Sequence, residues 1–434
     1  MNFSRPLRFI AFIATAIVIA SALNVAVTKK GFSENYPAVV CPPTLPGLAS
    51  QISLSSKKTQ FQRLQNRSTK TEAVKVLRLP VMKDSLLFNS EGTTLVVWQS
   101  RTGSWAGGAL CSGPASSQWF VGASADITTK GRLIVVNSGL SDAVVDVNVF
   151  TENGKQPLRT ITVVSKNYQV IPTDSLAPGD KYLTVHVAPR SGRINAFMID
   201  EQGTGLKSLG GDLVNSVSNA SKSVMIPAIP HQIKDRSPAL PHTLRVLTPG
   251  DVDASVTAEV MSSDGVFVPV GLTSRTVSAG IVTEFQFTPK ISSTVLAVRI
   301  TSTEPVVAAV KSTVTVAGRK DFVWSTSAPE LVPLTIAISG LTPLVSFVGE
   351  RINVSLDVTL TNGKVVRKTV KGTDIATWRA PDAARSFTIT KVGPDTFAGA
   401  LVSSVNGYGY FPIASGSLLT KIELPDSNIR VLNP

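Results

Sequence analysis

The sequence predicts an all-β chain: tandem antiparallel β-sandwich modules behind an N-terminal apolar helix. Three observations predict it. The composition is rich in Val, Thr and Ser, with 43% apolar and only 16% charged residues, a usage that favours strands over helices and argues against disorder. A phrase of alternating apolar residues is written three times, as "VDVNVFTENG" at 145–154, "VTAEVMSSDG" at 256–265 and "VSLDVTLTNG" at 354–363. From Trp119 onward, short apolar runs bounded by Gly, Pro, Asn or Ser recur at the spacing an antiparallel sandwich requires.

The repeated phrase has a physical reading. Val145, Val147 and Val149 share one face, matched by Val256, Ala258 and Val260 and by Val354, Leu356 and Val358; a strand period of two buries that face. Asn153-Gly154, Asp264-Gly265 and Asn362-Gly363 supply the positive φ angles of a tight hairpin. The closing glycines stand 111 and 98 residues apart, far beyond solenoid units and close to one immunoglobulin-like sandwich. A length of 434 residues agrees with about three such domains.

Taken in order, residues 1–30 are a targeting segment. Arg5 and Arg8 precede an apolar run from Phe9 to Val27, which at about 1.5 Å per residue spans roughly 28 Å as a helix, enough to cross a hydrocarbon core. Ala20-Ser21-Ala22 satisfies the small-residue rule for signal-peptide cleavage, but the run continues past it. Its length favours an uncleaved signal anchor over a cleaved signal peptide. The expected location is the cell membrane, single-pass, with the bulk of the chain extracytoplasmic, or secreted if the signal is cut.

Residues 31–125 follow as a basic linker and an irregular N-terminal region. Between Lys29 and Lys83 ten basic residues stand against Glu34 and Glu72, holding +8 of the formal net charge of +13. A charge concentrated beside a membrane segment points to anionic lipid or wall polymer, and away from nucleic acid. The stretch "SSKKTQFQRLQNRSTKTEA" reads as an exposed linker or short helix. Cys41 and Cys111, the two cysteines of the chain, read as a disulfide in an oxidising compartment. Three sandwich modules are expected at 126–205, 223–325 and 333–434. The glycine-rich "EQGTGLKSLGGDLVNSVSNAS" and the proline-bearing "STSAPELVPL" serve as joints.

A targeting N-terminus, "VVCPP", the small-residue "SWAGGALC", and "LRVLTPGDVDASVTAEVMSSDG" ending in "VRITSTEPVVAAVKS" together resemble the large secreted or membrane-anchored actinobacterial proteins grouped as a domain of unknown function. The likeness spans most of residues 36–325. It implies an extracytoplasmic envelope location and carries over no catalytic residues.

Motifs that carry chemistry are sparse. The three histidines are His186, His231 and His242, and no Gly-x-Ser-x-Gly elbow occurs. His186 in "LTVHVAP" reads as a surface or half-buried strand residue, and His231 and His242 as loop residues whose spacing fits no zinc motif. Ser55 and Lys58 match Ser-x-x-Lys without its companion elements. Asp251 and Asp253 lack the spaced ligands of a calcium loop and read as a solvated turn. No catalytic, cofactor-binding or metal site is assigned. The expected function is a non-catalytic cell-envelope protein, held at the cytoplasmic membrane by its N-terminal helix and acting as scaffold or binding module. The alternative is an extracellular enzyme on cell-wall glycan, with carboxylates that spacing does not identify; an aromatic content of 6% weakens a sugar-stacking groove.

Overall fold

The computed structural model describes residues 13–15, 39–64, 70–89, 92–205, 207–233 and 240–417. Residues 13–15 are helical; the rest of the apolar run, and with it the expected signal anchor, lies outside the described residues. Among the described residues no helix is long and apolar enough to cross a membrane. Among the described residues strands account for almost all regular structure between 39 and 412, in mainly antiparallel sheets that form one unit with several cores.

The first repeated phrase is the strand Ala143–Thr151. It pairs with Thr184–Pro189 on one side and Arg159–Val163 on the other, and Thr184–Pro189 in turn pairs with Gln118–Val121. The opposing sheet runs Asn167–Pro172, Arg132–Asn137, Ile194–Thr204, Lys207–Val214. Between them lie Val135, Val145, Val147, Val149, Val185, Val187 and Met198.

The second phrase, Ala254–Ser262, stands in the same arrangement. It pairs with Val295–Val316 and Arg275–Val277, with Ser221–Pro230 beyond, over a sheet of Thr283–Phe287, His242–Leu247 and Arg319–Thr326. One difference separates the repeats. Val295–Val316 is a continuous 22-residue strand that serves both sheets, pairing residues 297–302 with one and 307–312 with the other. Its counterpart in the first repeat is broken into two strands by a corner at Gly192, where φ is 88° and a Cβ would stand 2.4 Å from that of Ala143.

The third phrase lies in Leu344–Leu360, which pairs with Val365–Arg379, Ala384–Lys391 and Phe397–Ser403. Its strand order differs from that of the other two. The sheet continues through Leu334–Ala337 onto Thr93–Arg101 in parallel register, then to Ala49–Ser53 and Arg78–Pro80. Val96, Trp98 and Ala106 accordingly share a core with Leu356, Phe347 and Phe387.

The described residues between 39 and 110 form eight strands, more regular structure than the text of the region suggests. The stretch read as linker or helix holds the strand Thr59–Leu64, because Phe61 and Leu64 point into a core with Phe88 while the polar residues between them face outward. Lys57, Lys58, Lys70, Lys75, Arg78 and Lys83 are exposed around it, and Arg63 pairs with Glu72 at 2.8 Å.

The phrase itself behaves as its alternation predicts. Val147, Ala258 and Leu356 are at most 1% exposed and belong to three different cores. The acidic residues beside them each meet an arginine: Asp146 with Arg190 at 2.7 Å, Glu259 with Arg299 at 2.7 Å, Asp357 with Arg367 at 3.5 Å. The turns differ from expectation in one respect. Positive φ falls on the glycine alone, at 106° for Gly154, 116° for Gly265 and 89° for Gly363. In the first two turns a hydroxyl does the other half of the work, Thr151 and Ser262 each accepting the N–H of the residue before the glycine.

Leu356→Asp should cost at least about 3 kcal/mol, since it removes apolar burial and places an unpaired charge in the core. Asp357→Ser should cost within about 0.5 kcal/mol, as for an ordinary surface site. Denaturant titration of the two variants checks this. Because the sheet extends to Thr93–Arg101, hydrogen exchange of the Leu356 variant should show loss of protection there as well; protection retained in 93–101 would refute the coupling.

Candidate functional site

Among the described residues the most deeply buried carboxylates, Asp200, Asp212 and Asp321, gather where the first two sandwiches meet. Lys207–Val214 and Arg319–Thr326 are each the terminal strand of a sheet, so each has backbone groups with no ladder partner. Carboxylates fill the gap in both directions. Asp212 accepts the Trp324 N–H at 2.7 Å on one oxygen and the Leu213 N–H at 2.8 Å on the other. Asp321 accepts the Gly211 N–H at 3.0 Å and the Phe322 N–H at 2.9 Å. Asp200, the cross-strand neighbour of Asp212, accepts the Trp324 indole N–H at 2.8 Å.

Glycines make the approach possible. A Cβ on Gly211 would stand 2.9 Å from the Trp105 ring, one on Gly107 would stand 2.5 Å from Leu213 N, and one on Gly407 would stand 2.4 Å from both Ala106 N and an Asp321 oxygen. The sequence runs "SWAGG", "LGGD", "DFVW" and "GYGY" thus converge on one place. A guanidinium closes its side: Arg245 donates to the Ala123 and Leu183 carbonyls at 2.6 and 2.8 Å, pairs with Glu284 at 2.7 Å and lies 4.7 Å over the Trp324 ring. Ala123 adopts φ 70°, a left-handed conformation that costs a non-glycine residue roughly 1–2 kcal/mol, and its carbonyl is one of the two that Arg245 holds.

Burial dominates the electrostatics. It pushes the Asp212 carboxyl well above the ordinary range against the pull of its backbone donors, and it raises Asp321 to about 7. Burial likewise lowers the Lys311 amine. The donors are structural: Asp212 on its two oxygens and Asp321 on Oδ1 each accept one backbone N–H from the facing strand and one from the next residue of their own strand. Among the described residues no group of three or more His, Cys, Asp or Glu side chains is placed to hold a metal ion.

The residues singled out in the sequence fall elsewhere. Cys41 and Cys111 form a disulfide across 70 residues, inside the N-terminal core; closing such a loop contributes roughly 4 kcal/mol in the chain-entropy model. His186 is half-buried and stacks on Trp119 at 4.0 Å, with Nε2 3.0 Å from Ser117 Oγ. That hydroxyl donates to the Ser218 carbonyl at 2.9 Å, so its single proton is not aimed at the imidazole and the pair lacks the form of an activated nucleophile. His231 and His242 are not loop neighbours in solvent. Both are 2% exposed, linked Nδ1 to Nε2 at 3.0 Å, and His242 Nδ1 lies 2.8 Å from Ser312 Oγ. Ser55 and Lys58 sit in a surface turn where Ser56 bonds the Lys58 backbone. Asp251 and Asp253 are exposed, Asp253 capping the Ala279 N–H at 2.8 Å. Sequence reasoning missed the seam altogether because "LGGD" reads as linker; the available signal was large residues alternating with glycine in "SWAGG" and "GYGY", which is strand chemistry rather than loop chemistry.

A family model described as a family of unknown function, DUF5719, matches residues 87–375, more than half of the chain. The chain belongs to the DUF5719 family. The matched span of this DUF5719 chain takes in both equivalent sandwiches and most of the strands that meet at their seam. No curated protein matches it. Among solved structures, the crystal structure of a tetra-tandem repeat in the extending region of a large adhesion protein aligns at 13% identity over 89% of this chain and 97% of that one, with a TM-score of 0.12; a score that low carries no argument about architecture.

The buried groups predict opposing pH dependences. Burial, with His231 alongside, holds His242 down to about 3, so below about 6.5 the unfolded chain binds a proton that the folded chain refuses, and this residue's contribution to stability is lost as pH falls toward 3. Asp321, raised to about 7, has the opposite sign: the folded chain holds its proton above the unfolded value near 3.9, so stability is lost as pH rises from there through 7. Denaturant midpoints measured against pH should show His242→Gln losing part of the acid drop and Asp321→Asn losing part of the drop toward neutrality. Parallel profiles for wild type and both variants would contradict the assignment.

Proposed function

We propose that this DUF5719 protein is a non-catalytic, extracytoplasmic component of the cell envelope, anchored at the cytoplasmic membrane by residues 9–27, whose immunoglobulin-like sandwiches act as a scaffold or binding module. The observation that carries the reading is the Cys41–Cys111 disulfide buried in the N-terminal core, since such bonds persist in oxidising compartments and are rare in reducing ones. The likeness to secreted and membrane-anchored actinobacterial proteins supports the same location. The repeated sandwich with an acid–arginine pair on the outer face of each phrase strand suits a surface presented to solvent.

The exposed lysines around the strand Thr59–Leu64 support a contact with an anionic layer, lipid or wall polymer. Each Lys or Arg near a charged surface is worth about 1 kcal/mol, within a screening length of about 8 Å at physiological salt. The chain beginning at residue 31 should bind anionic vesicles or an anionic wall polymer at low salt and release at high salt. Reversal of Lys57, Lys58, Lys70 and Lys75 to Glu should weaken binding by two or more orders of magnitude, on the order of 1 kcal/mol for each residue. Binding indifferent to salt, or no binding, removes this role.

A further inference from the structure

Lys311 lies on Val295–Val316 in the second sandwich and reaches the first. Its Nζ sits 4.0 Å from the centroid of Phe322 and 5.6 Å from that of Trp324. Its hydrogen-bond contact is the side-chain carbonyl of Gln202, at 3.5 Å from Oε1. Among the described residues no carboxylate stands within 4.0 Å of it; Asp200, Glu284 and Asp126 act only from farther off, and burial favours the uncharged amine over the ammonium. An amine walled by aromatic rings and without a salt-bridge partner is a nucleophile in waiting.

Gln202 is presented to it. The strand Ile194–Thr204 has a bulge between Gln202 and Gly203, a device that re-aims a side chain out of the regular pleat. The amide nitrogen of Gln202 lies 3.5 Å from Asp200 Oδ1, and Asp200 is itself fixed by the Trp324 indole through its other oxygen. One carboxamide is therefore touched on its oxygen by an amine and on its nitrogen by a carboxyl group.

We propose that Lys311 and Gln202 form an intramolecular isopeptide bond. The Nζ lone pair attacks Gln202 Cδ, forming the new C–N bond while the carbonyl π pair moves to Oε1. Collapse of that adduct expels Nε2, and the Asp200 carboxyl carries the proton surrendered by Nζ to the departing nitrogen, which leaves as ammonia. One C–N bond replaces another, and no oxidant or cofactor takes part. With a C=O bond of about 1.23 Å, the 3.5 Å contact places Nζ within about 4.7 Å of Cδ, and reaction needs roughly 3–3.5 Å. Rotation of two flexible side chains covers the difference. The product joins strands 109 residues apart, tying the first sandwich to the second beside the aspartate seam.

The test is peptide mapping by mass spectrometry of the full chain, purified folded and then reduced. The expected result is a branched peptide joining Gln202 to Lys311, lighter by one ammonia than its two parts, and absent from Lys311→Arg, which keeps the positive charge over the rings. Asp200→Asn should leave the bond unformed or slow its appearance, with the linear peptides accumulating. Recovery of linear peptides carrying unmodified Lys311 and Gln202 from folded wild-type protein overturns the proposal and leaves Lys311 as a cation held by aromatic faces only.

Discussion

Two aspartates exchanged across a seam between sheets set the terms for the rest of this structure. Asp212 from the first sandwich takes a backbone N–H of the second, and Asp321 from the second takes a backbone N–H of the first. An orphaned N–H buried at such an edge costs about 1–3 kcal/mol, and a carboxyl oxygen that accepts it removes that cost. The penalty moves to the carboxylate, whose desolvation drives Asp212 and Asp321 toward their neutral forms. What allows the exchange is the absence of side chains at Gly107, Gly211 and Gly407, since a methyl group at any of them would meet backbone, a packed ring or the carboxylate itself. The seam therefore stands on glycine as much as on aspartate.

Residue numbers across the seam match the spacing of the repeat. Asp212 meets Trp324, 112 residues on, and Asp321 meets Gly211, 110 residues back; the hairpin glycines of the two repeats are 111 apart. The same strand of each repeat thus faces its own copy, running in the same direction. The two strands differ in detail: the position two before Asp212 is Gly210, and its counterpart one repeat later is Asp321, so each half supplies its carboxylate from a different place on the strand. The Gly192 corner, replaced in the second repeat by an unbroken strand, is another such divergence.

How much of this was legible depended on the range of the interaction. The phrase strands were legible because alternation is local: Val147, Ala258 and Leu356 are buried for reasons present within nine residues of text. The cysteine pair was legible from count and compartment alone. The seam was not, because a glycine in an edge strand and a glycine in a linker are the same letter, and only a partner 110 residues away distinguishes them. His231 and His242 were read as a loop for a related reason, since the strand ends that bring their rings together are fixed by pairing with Val295–Val316. The third phrase misled in the other direction. Its local text matches the first two, yet its strand order is set by Thr93–Arg101, a segment whose register with Leu334–Ala337 no local pattern records.

That parallel pairing also orders events in folding. The two equivalent sandwiches close mostly on contacts within about a hundred residues, whereas Thr93–Arg101 must wait for a partner more than 230 residues later in the chain. Non-local pairing of this kind is slow because loop-closure entropy is lost before contacts compensate it. Until then residues 93–95 keep an open edge, because Ala49–Ser53 pairs only from Val96 onward, and Val96 and Trp98 lack the core they end in; an open edge is the condition in which β-proteins aggregate. The Cys41–Cys111 bond addresses that interval. It joins Val39–Cys41 to the end of Trp105–Leu110, the hairpin partner of Thr93–Arg101, so the N-terminal strands are held in register before their distant neighbours exist. The disulfide thus ties the sheet that takes this distant partner to the N-terminal sheet beside it, where a covalent constraint on the incompletely folded state offsets loop-closure entropy.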